Sequence, residues 1–130
     1  MMGSNGGDPV EGIFEELGEA KLRAVVAAFY RRVPQDDLLG PMYPEQDFAG
    51  AEERLIDFLL YRLGGDPRYI ETRGHPRLRG RHAPFPVDAA ARDRWMQLMG
   101  EALVENEVAD DPRERLTSFL GDVATFLINR

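Results

Sequence analysis

At 130 residues and a net charge of −7, the chain has room for one domain and the wrong sign for non-specific binding to nucleic acid or an anionic membrane. It has no Cys, which excludes disulfides, thiolate metal sites and cysteine nucleophiles. Hydrophobic residues make up 43% and charged residues 30%, as in an ordinary soluble globule, and no apolar run approaches the ~20 residues of a membrane span, so a cytoplasmic protein is expected.

Residues 1–10, MMGSNGGDPV, lack the basic start and apolar centre of a secretory signal and read as a disordered tail, leaving 11–130 as the domain. A short helix follows in PVEGIFEELG, offering Ile13, Phe14 and Leu17 and ending at Gly18. Leu22, Val25, Val26, Phe29, Tyr30 and Val33 then recur at helical spacing and predict the strongest helix of the chain, stopped at Pro34. Ala51, Leu55, Phe58, Leu59 and Arg62 share the face of another helix, with Gly64-Gly65 as its stop. Asp88 can cap a helix carrying Trp95, Met96, Met99 and Leu103. The last helix opens at Asp111-Pro112 and runs through Leu116, Phe119, Leu120, Val123 and Leu127. No segment alternates like a strand, so the fold class is all-α. Residues 64–81 read as a long irregular connection, and such loops inside compact domains are often functional.

That connection is also where the charge changes sign. Between Arg62 and Arg94 lie eight arginines and only four acids, although the chain as a whole is acidic. The stretch RGHPRLRGRHAPF, residues 73–85, holds both histidines. Pro76 pushes His75 out of the α region, which favours a structural role. His82 falls near the end of a short helix whose first turn contains Pro76, and spacing alone does not distinguish a ligand there from a surface or core residue.

RGHPRLRGRHAPF, with Trp95 in RDRWMQLM thirteen residues after His82, resembles the group II truncated haemoglobins. So do FYRRV around Tyr30, MYPEQDFAGAEERL from Met42 to Leu55, and the Gly64-Gly65 pair, a similarity running from about Phe14 to the C-terminus. The resemblance implies a two-over-two helical sandwich around haem b (iron protoporphyrin IX), with loop replacing much of the helix before the proximal histidine. It makes His82 the proximal iron ligand at a five-coordinate iron and assigns His75 to a structural GHP segment. Arg54, Tyr69 and Arg81 become candidates for the haem propionates. On the distal side Ala51 stands where many globins carry a histidine, so the hydrogen-bond donors to an oxygen ligand would be Tyr30, Tyr43 and Trp95, with Leu55 and Phe58 excluding water. On residue spacing alone, the same aromatics read as core packing.

The implied function is reversible binding of dioxygen, carbon monoxide and nitric oxide. The alternative is an enzyme that oxidises nitric oxide or turns over peroxide with a reductase partner, and the assembly expected is a monomer or homodimer. A reading of the arginine-rich loop as an RNA site conflicts with the net charge. Two histidines without cysteine make a poor zinc set.

Overall fold

The computed structural model describes residues 8–43 and 46–130, and every helix or strand assigned among them is helical. Six α-helices follow in order: α1 (Ile13–Arg32), α2 (Phe48–Gly64), α3 (Arg68–Arg73), α4 (Leu78–His82), α5 (Ala89–Glu105) and α6 (Asp110–Phe126). Two 3-10 turns, Val33–Gln35 and Gly40–Met42, join α1 to α2. α1 packs on α2, α5 packs on α6, and α1 also meets α5 and α6, which ties the two pairs together.

The two helices expected before Pro34 form one element with a kink. Gly18 has φ 81° and ψ 163°, a conformation open in practice only to glycine, so the helical hydrogen bonding is interrupted there and resumes toward Leu22. Beyond the kink, Leu22, Val25, Val26, Phe29 and Tyr30 are buried, as their spacing predicts, and α1 ends at Arg32, just short of Pro34. Asp47 caps α2 by accepting from the Gly50 amide, and Gly65 closes it in the left-handed conformation. Asp88 caps α5 by accepting from the Ala91 amide. The core is assembled from α1, α2 (Ile56, Leu59, Leu60), α5 (Leu98, Met99, Ala102, Leu103) and α6 (Leu116, Leu120). Each large side chain fully buried there stabilises the fold by about 1.5–3 kcal/mol.

Two expectations need correction. Residues 64–81 are not one irregular connection, because α3 and most of α4 lie within them. Pro76 is not in the first turn of the helix that carries His82, since α4 begins at Leu78 after Arg77, whose φ of 41° breaks the chain direction. Of the expected tail, residues 1–7 lie outside the described residues, as do Pro44 and Glu45 of the MYPEQDFAGAEERL motif. Residues 8–10 are tied to the domain: Val10 is buried, exposed Asp8 accepts from the Arg62 guanidinium at 2.8 and 3.1 Å, and Arg115 donates to the carbonyl of exposed Pro9.

Candidate functional site

Three aromatic side chains with polar tips converge from separate elements. Tyr30 comes from the end of α1, Tyr43 follows the second 3-10 turn, and Trp95 lies in the second turn of α5. The Tyr30 and Tyr43 rings meet edge to face at 5.8 Å, and Phe29 packs against both Tyr30 and Trp95 at 4.9 Å. The two hydroxyls are 3.4 Å apart.

Burial drives the acidity of both tyrosines. Desolvation pushes Tyr30 well above the usual phenol value, and the neighbouring Tyr43 adds to the effect. Tyr43 is also raised by burial, while hydrogen bonding to Tyr30 and Trp95 and the positive charge of Arg54 pull it partway back. Both hydroxyls therefore keep their protons at neutral pH. Two hydroxyls can share only one proton between them, and an indole N–H only donates. Whichever tyrosine donates to the other, one hydroxyl proton of the cluster is left to find an acceptor outside the pair.

The apolar members lie on α2, where Ala51, Leu55 and Phe58 follow one another at i, i+4 and i+7. Ala51 and Phe58 are buried and Leu55 is partly so. Ala51 offers no side-chain donor.

Sequence reasoning missed what holds this cluster together. Asp36, between the two 3-10 turns, accepts from the Leu38 and Leu39 amides at 3.1 and 2.8 Å and from Arg94, the residue before Trp95. Burial would raise the Asp36 carboxyl, but the Leu39 amide, Arg94 and the Leu38 amide outweigh it and hold it below the usual carboxylate value. The pair fastens the segment leading to Tyr43 onto the start of α5. Aspartate followed by two amides two and three residues on is a turn signal in sequence, but nothing local points to an arginine 58 positions away.

His82 closes α4 and is half-buried. Its Nδ1 lies 2.8 Å from the Leu78 carbonyl, which can only accept, so Nδ1 is the donor and the lone pair of the neutral imidazole lies on Nε2. Among the described residues no group of three His, Cys, Asp or Glu side chains could hold a metal ion. Among the described residues His82 thus stands as an oriented imidazole without partner ligands, a donor set that fits haem iron and fits zinc poorly. His75 is exposed, and its carbonyl accepts from Arg81.

The three residues expected near propionates each have their own partners. Arg54 is half-exposed and lies 3.9 Å from Asp47. Tyr69 is buried, stacked on Tyr61 at 5.8 Å and edge-on to Phe58 at 5.9 Å. Arg81 Nη2 donates to the Arg73 and His75 carbonyls at 2.6 and 3.0 Å, and Arg73 in turn pairs with Asp57 of α2 at 3.0 Å. Arg81 is therefore a fastener of the loop before α4, with its other guanidinium nitrogens as further donors.

The chain as a whole is similar to known proteins. The family model for bacterial-like globins matches residues 12–129. The chain is 36% identical over 117 residues to the Group 2 truncated hemoglobin YjbI of Bacillus subtilis (strain 168), covering 90% of this chain and 88% of that protein. It is 33% identical over 119 residues to Group 2 truncated hemoglobin 3-1 of Lotus japonicus, covering 89% and 71%. Among solved structures, the hemoglobin of Chloroflexus aurantiacus superposes with a TM-score of 0.85 at 39% identity, covering 91% of this chain and 98% of that one.

Proposed function

This chain belongs to the bacterial-like globin family as a group II truncated haemoglobin, an all-α haem globin of the kind that binds diatomic gases, and from that premise we propose what its own residues do. In this reading the cofactor is haem b, and His82 is its only protein ligand, through the Nε2 left free by the bond from Nδ1 to Leu78. When bound, haem supplies an iron that takes a diatomic molecule at its open position. Leu78 fixes the tautomer and turns the imidazole, and its carbonyl makes the ring a stronger electron donor. Arg54, Tyr69 and Arg81 are proposed as propionate partners.

Tyr30, Tyr43 and Trp95 present donors to a ligand that gains negative charge, such as dioxygen or nitric oxide, and matter less to carbon monoxide. A dry pocket strengthens those bonds, and Leu55 and Phe58 keep water out. The observation that carries this reading is the pairing of buried Tyr30 with partly buried Tyr43, because the pair holds one hydroxyl proton more than it can use internally. Reversible storage or transfer of oxygen is the function that follows. The test is reconstitution with haem: a Soret band that shifts reversibly with oxygen and with carbon monoxide supports it, and a protein that takes up no haem overturns it.

The same cluster supports a second role. A ligand held by the free hydroxyl proton of this cluster, with the second tyrosine and Trp95 behind it, is held firmly, which suits a co-substrate more than a cargo to be released. Oxidation of nitric oxide to nitrate by oxygen needs one electron per turnover, hence a reductase. Nitrate accumulating with turnover in the presence of a reductant distinguishes this role from simple binding.

A further inference from the structure

The C-terminus of the chain returns to the peptide that carries His82. Asn129 Nδ2 donates to the His82 carbonyl at 3.2 Å and to the Phe85 carbonyl at 3.0 Å, while its Oδ1 accepts from the Val87 amide at 3.0 Å. The Asn129 backbone amide donates to the Val87 carbonyl at 2.8 Å, and that of Arg130 to the same oxygen at 3.2 Å. The partners determine which way the carboxamide points: flipped, its oxygen would face two carbonyls and its nitrogen an N–H.

This segment has a particular need for such a clamp. None of the five residues of α4 is buried and only Leu78 packs partly against the core, so apolar packing by itself holds the helix weakly. Pro84 and Pro86 follow directly, and proline has no N–H with which to satisfy the carbonyls at the helix end. The Phe85 amide reaches the His82 carbonyl at 2.9 Å, and Asn129 supplies the second donor. One turn earlier, Arg79 lies over the Phe126 ring at 5.5 Å and donates to the Phe126 carbonyl at 3.5 Å. Phe126 ends α6, a helix anchored in the core by Leu116 and Leu120.

From this we infer that Asn129 is a positioning residue for His82. Leu78 sets the rotation of the imidazole about its side chain, and Asn129 sets the peptide from which that side chain springs. The orientation of the nitrogen aimed at iron is thereby referred to α6 and the core, in place of a five-residue helix standing by itself. The inference rests on His82 as the haem ligand.

The test uses haem-loaded protein and the variants Asn129→Ala, Asn129→Asp and Phe126→Ala. The readouts are the iron–histidine stretching band of the ferrous, ligand-free protein and the rate of haem transfer to an apoglobin scavenger. Both Asn129 variants are expected to shift or broaden the band and to lose haem about 2- to 10-fold faster, the range for one ordinary hydrogen bond. Carbon monoxide dissociation, which reports the opposite side, should stay within about twofold. Phe126→Ala, which loosens the same strap without touching the His82 carbonyl, should leave the band in place. If Asn129→Ala does not fold, Asn129→Asp decides, since it keeps the size and the acceptor for Val87 and removes both donors. A wild-type band in the folded Asn129 variants overturns the inference even where the unfolding midpoint falls, because Asn129 would then hold only the tail. Wild-type protein that binds haem but shows no iron–histidine band overturns the ligation by His82 and this inference with it.

Discussion

The aromatic cluster and His82, proposed as the two sides of a haem site, are held in place by different forces. Tyr30, Tyr43 and Trp95 sit in an aromatic cluster on long helices and the turns between them, where Phe29 is fully buried and supports two of the three rings. His82 sits on a helix of five residues with no buried member, held by hydrogen bonds from Asn129 and bordered by the Arg81 fastener. Apolar packing excludes water, so it fixes the aromatic cluster and would strengthen any hydrogen bond these residues make to a ligand. Directed hydrogen bonds to backbone carbonyls fix a peptide at little cost in volume, so the imidazole can be oriented without being enclosed. A damaged distal side should therefore change ligand chemistry, and a damaged proximal side should change cofactor retention.

The largest test of that division is His82→Ala against His75→Ala. The first should lose stable haem binding and the second keep it, when the Soret absorbance of equal folded amounts is compared. Equal loss in both would erase the distinction between the two histidines.

Trp95→Phe should act on the other side only. It preserves most of the apolar volume and removes one donor, and a hydrogen bond to a charged acceptor contributes about 1.5–3 kcal/mol, so oxygen should dissociate about 10- to 150-fold faster. Carbon monoxide dissociation should change less, and haem retention should stay as in wild type. Equal acceleration of both gases would make Trp95 a packing residue.

Asp36→Asn probes the support beneath the distal cluster. Losing the carboxylate that accepts from Leu38, Leu39 and Arg94 should lower stability by about 1 kcal/mol near neutral pH, measured by denaturant unfolding. The folded Asp36 titrates below its unfolded value, so its contribution is complete above the ordinary carboxylate range and is lost as pH falls through the lowered folded value. Wild type and variant should accordingly converge in acid. A gap that persists there would point to packing and not charge.

Arg81→Ala should give the smallest effect. Its bonds to the Arg73 and His75 carbonyls are exposed to solvent, so the loop should loosen by about 0.2–1 kcal/mol and haem should leave modestly faster. The spectrum with carbon monoxide should not move, and a spectral change would mean that the fastener also reaches the distal side.

The four long helical segments were legible because burial on one face imposes a period of 3.6 on the apolar residues, as in Leu22, Val25, Val26 and Phe29. Their ends were legible too, since Asp88 caps α5 and Gly65 closes α2 through contacts a few residues long. The motifs around His82 and Trp95 pointed to the family before any geometry. The kink at Gly18 was legible only as an ending, because a glycine that halts one helix and one that bends a longer one look the same until the two halves pack on a common core.

Elsewhere tertiary structure alone decided. The bond from Arg94 to Asp36 and the return of Asn129 to His82 join residues 58 and 47 positions apart, and neither end carries a periodic or capping signal naming the other. Arg81 reads in sequence as a cation for a carboxylate, yet its Nη2 is directed at the carbonyls of Arg73 and His75, which flank Gly74 at positive φ. Helices and caps follow from interactions within one or two turns, which sequence order contains. Which distant polar groups meet depends on how the loops close once the core has collapsed, and that geometry belongs to the folded chain.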